Sequence, residues 1–493
     1  MSCHLFHHRQ QISEPSRRDF LCLAAAGVLG WSHRVGAQSQ SPTKLSPYIA
    51  DVDGNEFLNK VDPQIVSAAQ FSRRGFDLIP NDGWDFRADV FGRGAVDPDA
   101  TDAVSQTINV VGNGPVGIRR RPITVCWHYG WHETLSRPPS LQTVRFLGGD
   151  YLSSDPEVEG TFNSLKNECG ISVDALSWMP SRVRPPLEAS YRAGYLSAFN
   201  SATRLTALLY ESLLALGNGG TRIDIGSSQV RARLADDFEQ MGHFFAEIRD
   251  QYSTRPFLIA DRPVIFIFAS HSWGSESEHS PDAAAMTAAI DVALTRFEQV
   301  YGTPPYLVGE ELWTLSHPRA FPDVRAHRAS HFDAVFSYHN ALLKPGTVEV
   351  PLDSFYSAAQ LRASGQGNRR LTSLRNRRTG DNILAIPSVA AGFAKPGWPT
   401  ITVNRSQYTD FMRLQMEYHW QEYLKIFWRH QLNTRALPAA IYTVGSWNEE
   451  WEGHAVFPAS FNLSVRSIQQ GGFDLLMAIK EVFGWNHYAH RDP

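Results

Sequence analysis

Eight short stretches of the chain are mostly apolar and rich in β-branched and aromatic residues, the composition of core strands. They are PITVCWHY (122–129), ISVDALSW (171–178), RLTALLYE (204–211), PVIFIFAS (263–270), PPYLVGEE (304–311), FDAVFSYH (332–339), ILAIPSVA (383–390) and AAIYTVGS (439–446). Between them lie longer stretches such as DPEVEGTFNSLKNEC, QVRARLADDFEQMGHFFAEIRDQY, DAAAMTAAIDVALTRFEQVYG and YTDFMRLQMEYHWQEYLKIFWRHQL, and FDLLMAIKEVF follows the last run. In these the apolar residues recur at helical spacing. Strand alternating with helix predicts parallel strands, and eight such units over residues 119–493 predict an α/β (β/α)8 barrel of the TIM type with long βα loops. An open doubly wound sheet is the alternative. No Gly-x-Gly-x-x-Gly follows the first run, which counts against a dinucleotide-binding version and gives no cofactor to expect. Residues 38–118, punctuated by Gly, Asp and Pro without clear periodicity, read as an N-terminal extension packed on the barrel.

In such barrels the chemistry sits at the C-terminal ends of the strands. The first run finishes in Trp127, His128 and Tyr129, followed by Trp131, the second in Trp178, and the third in Tyr210 and Glu211. The fourth ends near His271 and Trp273, the fifth in Glu310 and Glu311, and the sixth in Tyr338, His339 and Asn340. After the eighth come Trp447, Asn448, Glu449, Glu450, Trp451 and Glu452. A single His or Tyr at a strand end is ordinarily a structural hydrogen-bonder; the same end of many strands carrying such residues points to a site.

The stretch IYTVGSWNEEWEGHAVFPAS (441–460) enters as a core strand and leaves with three carboxylates set among tryptophans. If residues 448–453 turn helically, Glu449 and Glu452 share a face and Glu450 points elsewhere. Two adjacent carboxylates in an apolar site cannot both ionise easily, so one serves as acid and the other as base, the division that glycosidic bond cleavage needs. The plain alternative is a helix start decorated with acids that favour the dipole.

These residues resemble a family. SWNEEWEGHAVFPAS is similar to the Asn-Glu-Trp-x-Glu-Gly signature of glycoside hydrolase family 99, the endo-α-mannosidases and endo-α-mannanases, and of the related WbsX-like proteins of polysaccharide loci. VCWHYGW, GISVDALSWMP, FLIADRPVIFIF and IPSVAAGF resemble the same group's first, second, fourth and seventh strands, in order, so the resemblance spans about residues 120–485. It implies an endo-acting, retaining glycosidase. Glu449 would be the base that deprotonates the sugar 2-hydroxyl to give a 1,2-anhydro sugar, and Glu452 the acid that protonates the leaving oxygen and later activates water. Asn448 would orient the site, and Tyr129, Trp178, Tyr210 and Glu211 would line subsites, with Trp127, His128, Tyr338, Trp447 and Trp451 as further substrate contacts. Glu450 stands where the family has Trp, and Phe457 where it often has an acid, so the subsite is rebuilt. A polysaccharide-assembly transferase of WbsX-like type, or a non-catalytic glycan-binding barrel, are the other readings.

Composition narrows the picture. With 43% hydrophobic and 19% charged residues the chain buries a large core, and a net charge of −4 gives no reason to expect nucleic acid. The 13 tryptophans suit sugar rings. SRRDFLCLAAAGVLGW followed by RVGAQ resembles a twin-arginine signal peptide over residues 1–37, cut after Ala37, which implies the twin-arginine export machinery as partner and a periplasmic or secreted protein. No apolar run of spanning length occurs in the mature part. Cys126 and Cys169 remain after cleavage, as a disulfide or as two buried thiols. SGQGNRRLTSLRNRRTG (364–380), expected on the catalytic side, could hold an anionic sugar through Arg369, Arg370, Arg375, Arg377 and Arg378, or be a solvated loop. ASHSWGSESEHS mixes His271, His279 and acids without tight ligand spacing, so no metal is expected.

Overall fold

A computed structural model describes residues 123–133, 144–146, 151–198, 204–217, 222–274, 283–311, 327–338, 374–381, 383–386, 388–392, 408–409, 412, 441–450, 452, 454–457, 459–461 and 474–483. The expected signal peptide, the N-terminal extension, Trp451, His279, His339, Arg369, Arg370 and most of the expected helix over 408–432 lie outside the described residues.

Each of the eight apolar runs contains a strand: β1 (Ile123–His128), β2 (Val173–Trp178), β3 (Leu205–Glu211), β4 (Arg262–Phe268), β5 (Tyr306–Glu310), β6 (Ala334–Phe336), β7 (Leu384–Ile386) and β8 (Ile441–Ser446). They pair in parallel, each beside its neighbour in the chain, from β1 through β7. The deciding pair is β1 with β8, registered Ile123 on Ile441 and Thr124 on Tyr442. The strands therefore follow one another in chain order, with β8 beside β1, unlike a doubly wound sheet, whose order reverses at a switch point. A parallel bridge between Ser388 and Thr443 brings the end of β7 against β8, with the Thr443 hydroxyl donating to Ser388 Oγ at 2.6 Å. The sheet is an eight-stranded barrel.

Helices cover its outside. Pro156, at the first turn, and Asp155, which accepts the Glu157 N–H at 2.9 Å, start α1 (Pro156–Glu168). α2 (Pro186–Ala193), α3 (Ser228–Gln251) and α4 (Ala283–Tyr301) follow, and α5 (Asp474–Phe483) comes after β8. The buried stripe Leu234, Phe238, Met241, Phe245 and Ile248 of α3 meets Ile290, Leu294 and Phe297 of α4 and the outward residues Leu208, Ile265, Ile267 and Leu307 of the barrel. Inward, the barrel is filled by Trp127, whose ring lies 5.0 Å from Phe266 and 5.2 Å from Phe336. Cys126 and Cys169 are both buried thiols outside any disulfide, and the Cys126 thiol donates to the Gly445 carbonyl at 3.3 Å. Among the described residues no helix is long and apolar enough to cross a membrane.

The described part of the arginine segment, residues 374–380, sits opposite to where the segment was expected. Arg377 N–H donates to the Ser330 carbonyl, and the Asn376 side chain donates to Asp333, both immediately before β6. Arg375, Arg377 and Arg378 therefore lie where strands begin, at the end away from the mouth, because the chain must return there to start β7. They are not placed to hold a sugar at the strand C-termini.

Candidate active site

The site is assembled from side chains that alternate inward along the strands and from the loop that follows β8. Tyr129, one residue past β1, and Tyr338, two past β6, share a short hydroxyl-to-hydroxyl hydrogen bond across the mouth. Glu211, the last residue of β3, is buried, and the Ser177 hydroxyl of β2 donates to it at 2.8 Å. Burial pushes the Glu211 carboxyl up to about 8, the nearby Glu452 charge pushes the same way, and the Ser177 bond offsets part of the rise. Burial also raises the Tyr338 hydroxyl well above its ordinary value, reinforced by the charges of Glu449, Glu452 and Glu211. Tyr129 is raised for the same first reason, with Tyr338, Glu211 and Glu449 adding to it. One pair of phenols thus lies close to three acidic side chains drawn from β3 and the β8 loop.

That loop does not form the expected helix. Residues 447–450 are bends and a turn, and the chain folds back so that His454 N–H donates to the Glu449 carbonyl at 3.1 Å. Ser446 Oγ donates to the His454 carbonyl at 2.7 Å, Val456 N–H to Ser446 and Phe457 N–H to Trp447. These returning bonds, rather than an α-helical ladder, hold Glu449 and Glu452 at the mouth. Gly445, with φ of +88°, makes the bend possible. Asn448 locks the loop to β1: its Nδ2 donates to the Tyr129 carbonyl at 2.8 Å and to the Tyr151 hydroxyl at 2.9 Å, while Tyr129 N–H donates to its Oδ1 at 2.8 Å. Glu450 turns to the other side, where its carboxylate lies 4.0 Å from His132.

Of the residues read from sequence, Tyr129, Glu211, Tyr338, Asn448, Glu449 and Glu452 meet here. Five others do not. His128 faces outward, receiving a hydrogen bond from Lys166 on Nδ1 at 2.9 Å with Glu159 at 3.3 Å from Nε2. Trp178 and Tyr210 also face the helix layer, and the Tyr210 hydroxyl donates to Asp237 of α3 at 2.5 Å. The Trp447 ring packs on Phe162 of α1, and Trp127 plugs the lumen below the mouth. Neighbours in a strand point to opposite faces, so a strand end supplies its site residue and an outward companion together. Ser177, Tyr151 and His454, whose ring lies 5.2 Å from Tyr338, were missed; Ser177 was findable, since it precedes an outward-facing Trp178 by one position. Glu310 accepts the Ala269 N–H at 2.6 Å and lies 3.7 Å from His271. Among the described residues no three His, Cys, Asp or Glu side chains converge in a metal-holding arrangement.

The barrel has known counterparts. A structure described as a glycoside hydrolase-like protein superposes with a TM-score of 0.50 at 14% identity, covering 74% of this chain and 94% of its own. A family 99 endo-α-mannosidase from Bacteroides thetaiotaomicron, in complex with Bis-Tris-propane, gives 0.46 at 14% identity over 73% of this chain and 95% of its own. No family model and no curated protein matches the sequence. The chain shares its barrel fold with the structure described as glycoside hydrolase-like.

Proposed function

We propose that the protein is an exported glycoside hydrolase that cleaves glycosidic bonds within a polysaccharide or glycan. The observation that carries the reading is the convergence of Glu449, Glu452 and Glu211 on the Tyr129–Tyr338 hydroxyl pair at the strand C-termini. The resemblance to family 99 assigns the roles. Glu449 takes the proton from the sugar 2-hydroxyl as O2 attacks C1, and the glycosidic C1–O bond breaks as Glu452 gives its proton to the leaving oxygen. Glu452 then takes a proton from water, the water oxygen bonds to C1, the C1–O2 bond of the anhydro sugar opens, and O2 recovers its proton from Glu449. Two displacements at C1 leave its configuration retained. Glu211, held neutral near pH 7, adds no further charge beside Glu449 and can donate a hydrogen bond to a sugar hydroxyl.

The test is a product assay on residues 38–493 against bacterial and fungal polysaccharides, run beside Glu449→Gln and Glu452→Gln. Oligosaccharides released by wild type and lost in both variants support the reading. Turnover that persists in both removes the assigned pair.

A further inference from the structure

Behind the β8 loop, on the outer face of β1 and β2, lies a buried group of polar and charged side chains that the catalytic roles leave unused. Glu159 and Lys166 come from α1, His128 from β1, Asp174 from β2 and Arg204 from the start of β3, and all five are buried. Lys166 Nζ stands 2.8 Å from Asp174 Oδ1 and donates to His128 Nδ1 at 2.9 Å. The other Asp174 oxygen takes Arg204 at 2.6 Å and the Tyr195 hydroxyl at 3.1 Å. Lys166 is therefore not needed to keep Asp174 paired.

Charges buried this way are weak evidence for stability, because apolar side chains of similar volume commonly hold a core as well. The question is what the ammonium does that a methionine would not. Two acceptors take two directions of Lys166 Nζ, and in a third lies the Trp447 ring, 4.9 Å away at its centroid. The Trp447 indole N–H is buried without a hydrogen-bond acceptor among the described residues, so the ring is held by its faces and edges. Phe162 and Phe457 meet it edge-on at 5.4 and 6.4 Å. Its backbone is pinned as well, with Trp447 N–H donating to the Trp127 carbonyl at 2.6 Å. Asn448 and Glu449 follow directly, so any rotation of this ring and its backbone moves the carboxylate two residues on.

We propose that Lys166 is a positioning residue: its buried ammonium, fixed by Asp174 and His128, grips the face of Trp447 and thereby sets the β8 loop that presents Glu449 and Glu452. A desolvated cation on an indole face is among the stronger forms of this contact. Displacement of reacting groups by about 1 Å costs roughly 10²-fold in rate.

Lys166→Met keeps an unbranched side chain, one atom shorter, and removes the charge, while Arg204 still pairs Asp174. The primary measurement is amide hydrogen exchange of the peptide 446–457 in the full protein. We expect exchange there to rise by about tenfold or more, against no change in peptides from α3 and α4. Unchanged exchange in 446–457, or a rise shared by all peptides, overturns the proposal. The kinetic arm rests on the glycosidase reading: kcat falls by about 10²-fold with KM unchanged. Trp447→Phe falls similarly, and the double variant falls no further than either. Asp237→Asn, which removes a buried carboxylate behind β3, serves as a control for lost stability and keeps kcat. Active wild type with an equally active Lys166→Met overturns the positioning role. Wild type that cleaves no glycan while exchange still rises in 446–457 overturns the glycosidase reading and leaves the positioning role standing.

Discussion

Glu211→Gln isolates the electrostatic feature of the site that depends most on the fold. The carboxyl is buried at the end of β3, and its proton affinity is raised from 4.5 to about 8, first by burial and then by Glu452. Below pH 4.5 the group is neutral in folded and unfolded chains and carries no penalty. Between 4.5 and 8 the unfolded chain gives up the proton while the folded one keeps it, so stability falls as pH rises. Above 8 both are ionised and the loss is complete, at about 5 kcal/mol for the gap between 4.5 and about 8. Gln keeps the shape and an oxygen to accept from Ser177, and it carries no charge at any pH. Thermal unfolding of wild type and variant is followed from pH 5 to 9. The two agree to about 1 kcal/mol at pH 5, and the variant gains with pH until it leads by about 5 kcal/mol at pH 9. With an unfolding entropy of about 0.8 kcal/mol/K for a barrel of this size, that lead is about 6 °C in Tm. Two Tm curves that run parallel from pH 5 to 9 would refute the buried-carboxyl argument.

Other perturbations follow from the same geometry. Asn448→Ala strips the Tyr129 backbone of both its partners and should cost about 3 kcal/mol in denaturant unfolding, with Asn448→Asp recovering only the bond from the Tyr129 N–H. Gly445→Ala puts a Cβ 3.3 Å from Ala391 N and Val389 O on a residue with positive φ, so it should destabilise by about 1–3 kcal/mol and lower activity through the β8 loop. Replacing Arg375, Arg377 and Arg378 by Gln should leave kcat/KM within about twofold on any cleaved glycan, because these residues lie where strands begin. The proposed twin-arginine export, which rests on the sequence and not on this geometry, predicts that Arg17→Lys with Arg18→Lys blocks export, seen as precursor retained in the cytoplasm by cell fractionation.

The barrel was legible because parallel strands with helices outside are written as isolated apolar runs, and each of the eight runs holds a strand. The same property hid which way the residues face. A strand buried on both sides shows no alternation of apolar and polar positions, so His128 looked as much a site residue as Tyr129, and Tyr210 as much as Glu211. The β8 loop misled for another reason. Glu-Glu-x-Glu after a strand suits a helix start locally, yet Ser446 and His454 close the chain into a returning turn whose bonds no local pattern encodes. The raised proton affinity of Glu211 was equally out of reach, since it comes from burial by neighbouring strands and from Glu452, far along the chain. Glu450 lies toward His132, but the returning turn puts it there and not the helical spacing expected from the sequence.

The central claim is that Glu452 and its partner Glu449 break a glycosidic bond at the mouth of this barrel. It is tested most directly by following the anomeric configuration of the first product by NMR, for wild type and Glu452→Gln, on the glycan that the mature protein cleaves. The account predicts a retained anomer from wild type and no product from the variant. An inverted product, or undiminished release by Glu452→Gln, would contradict it.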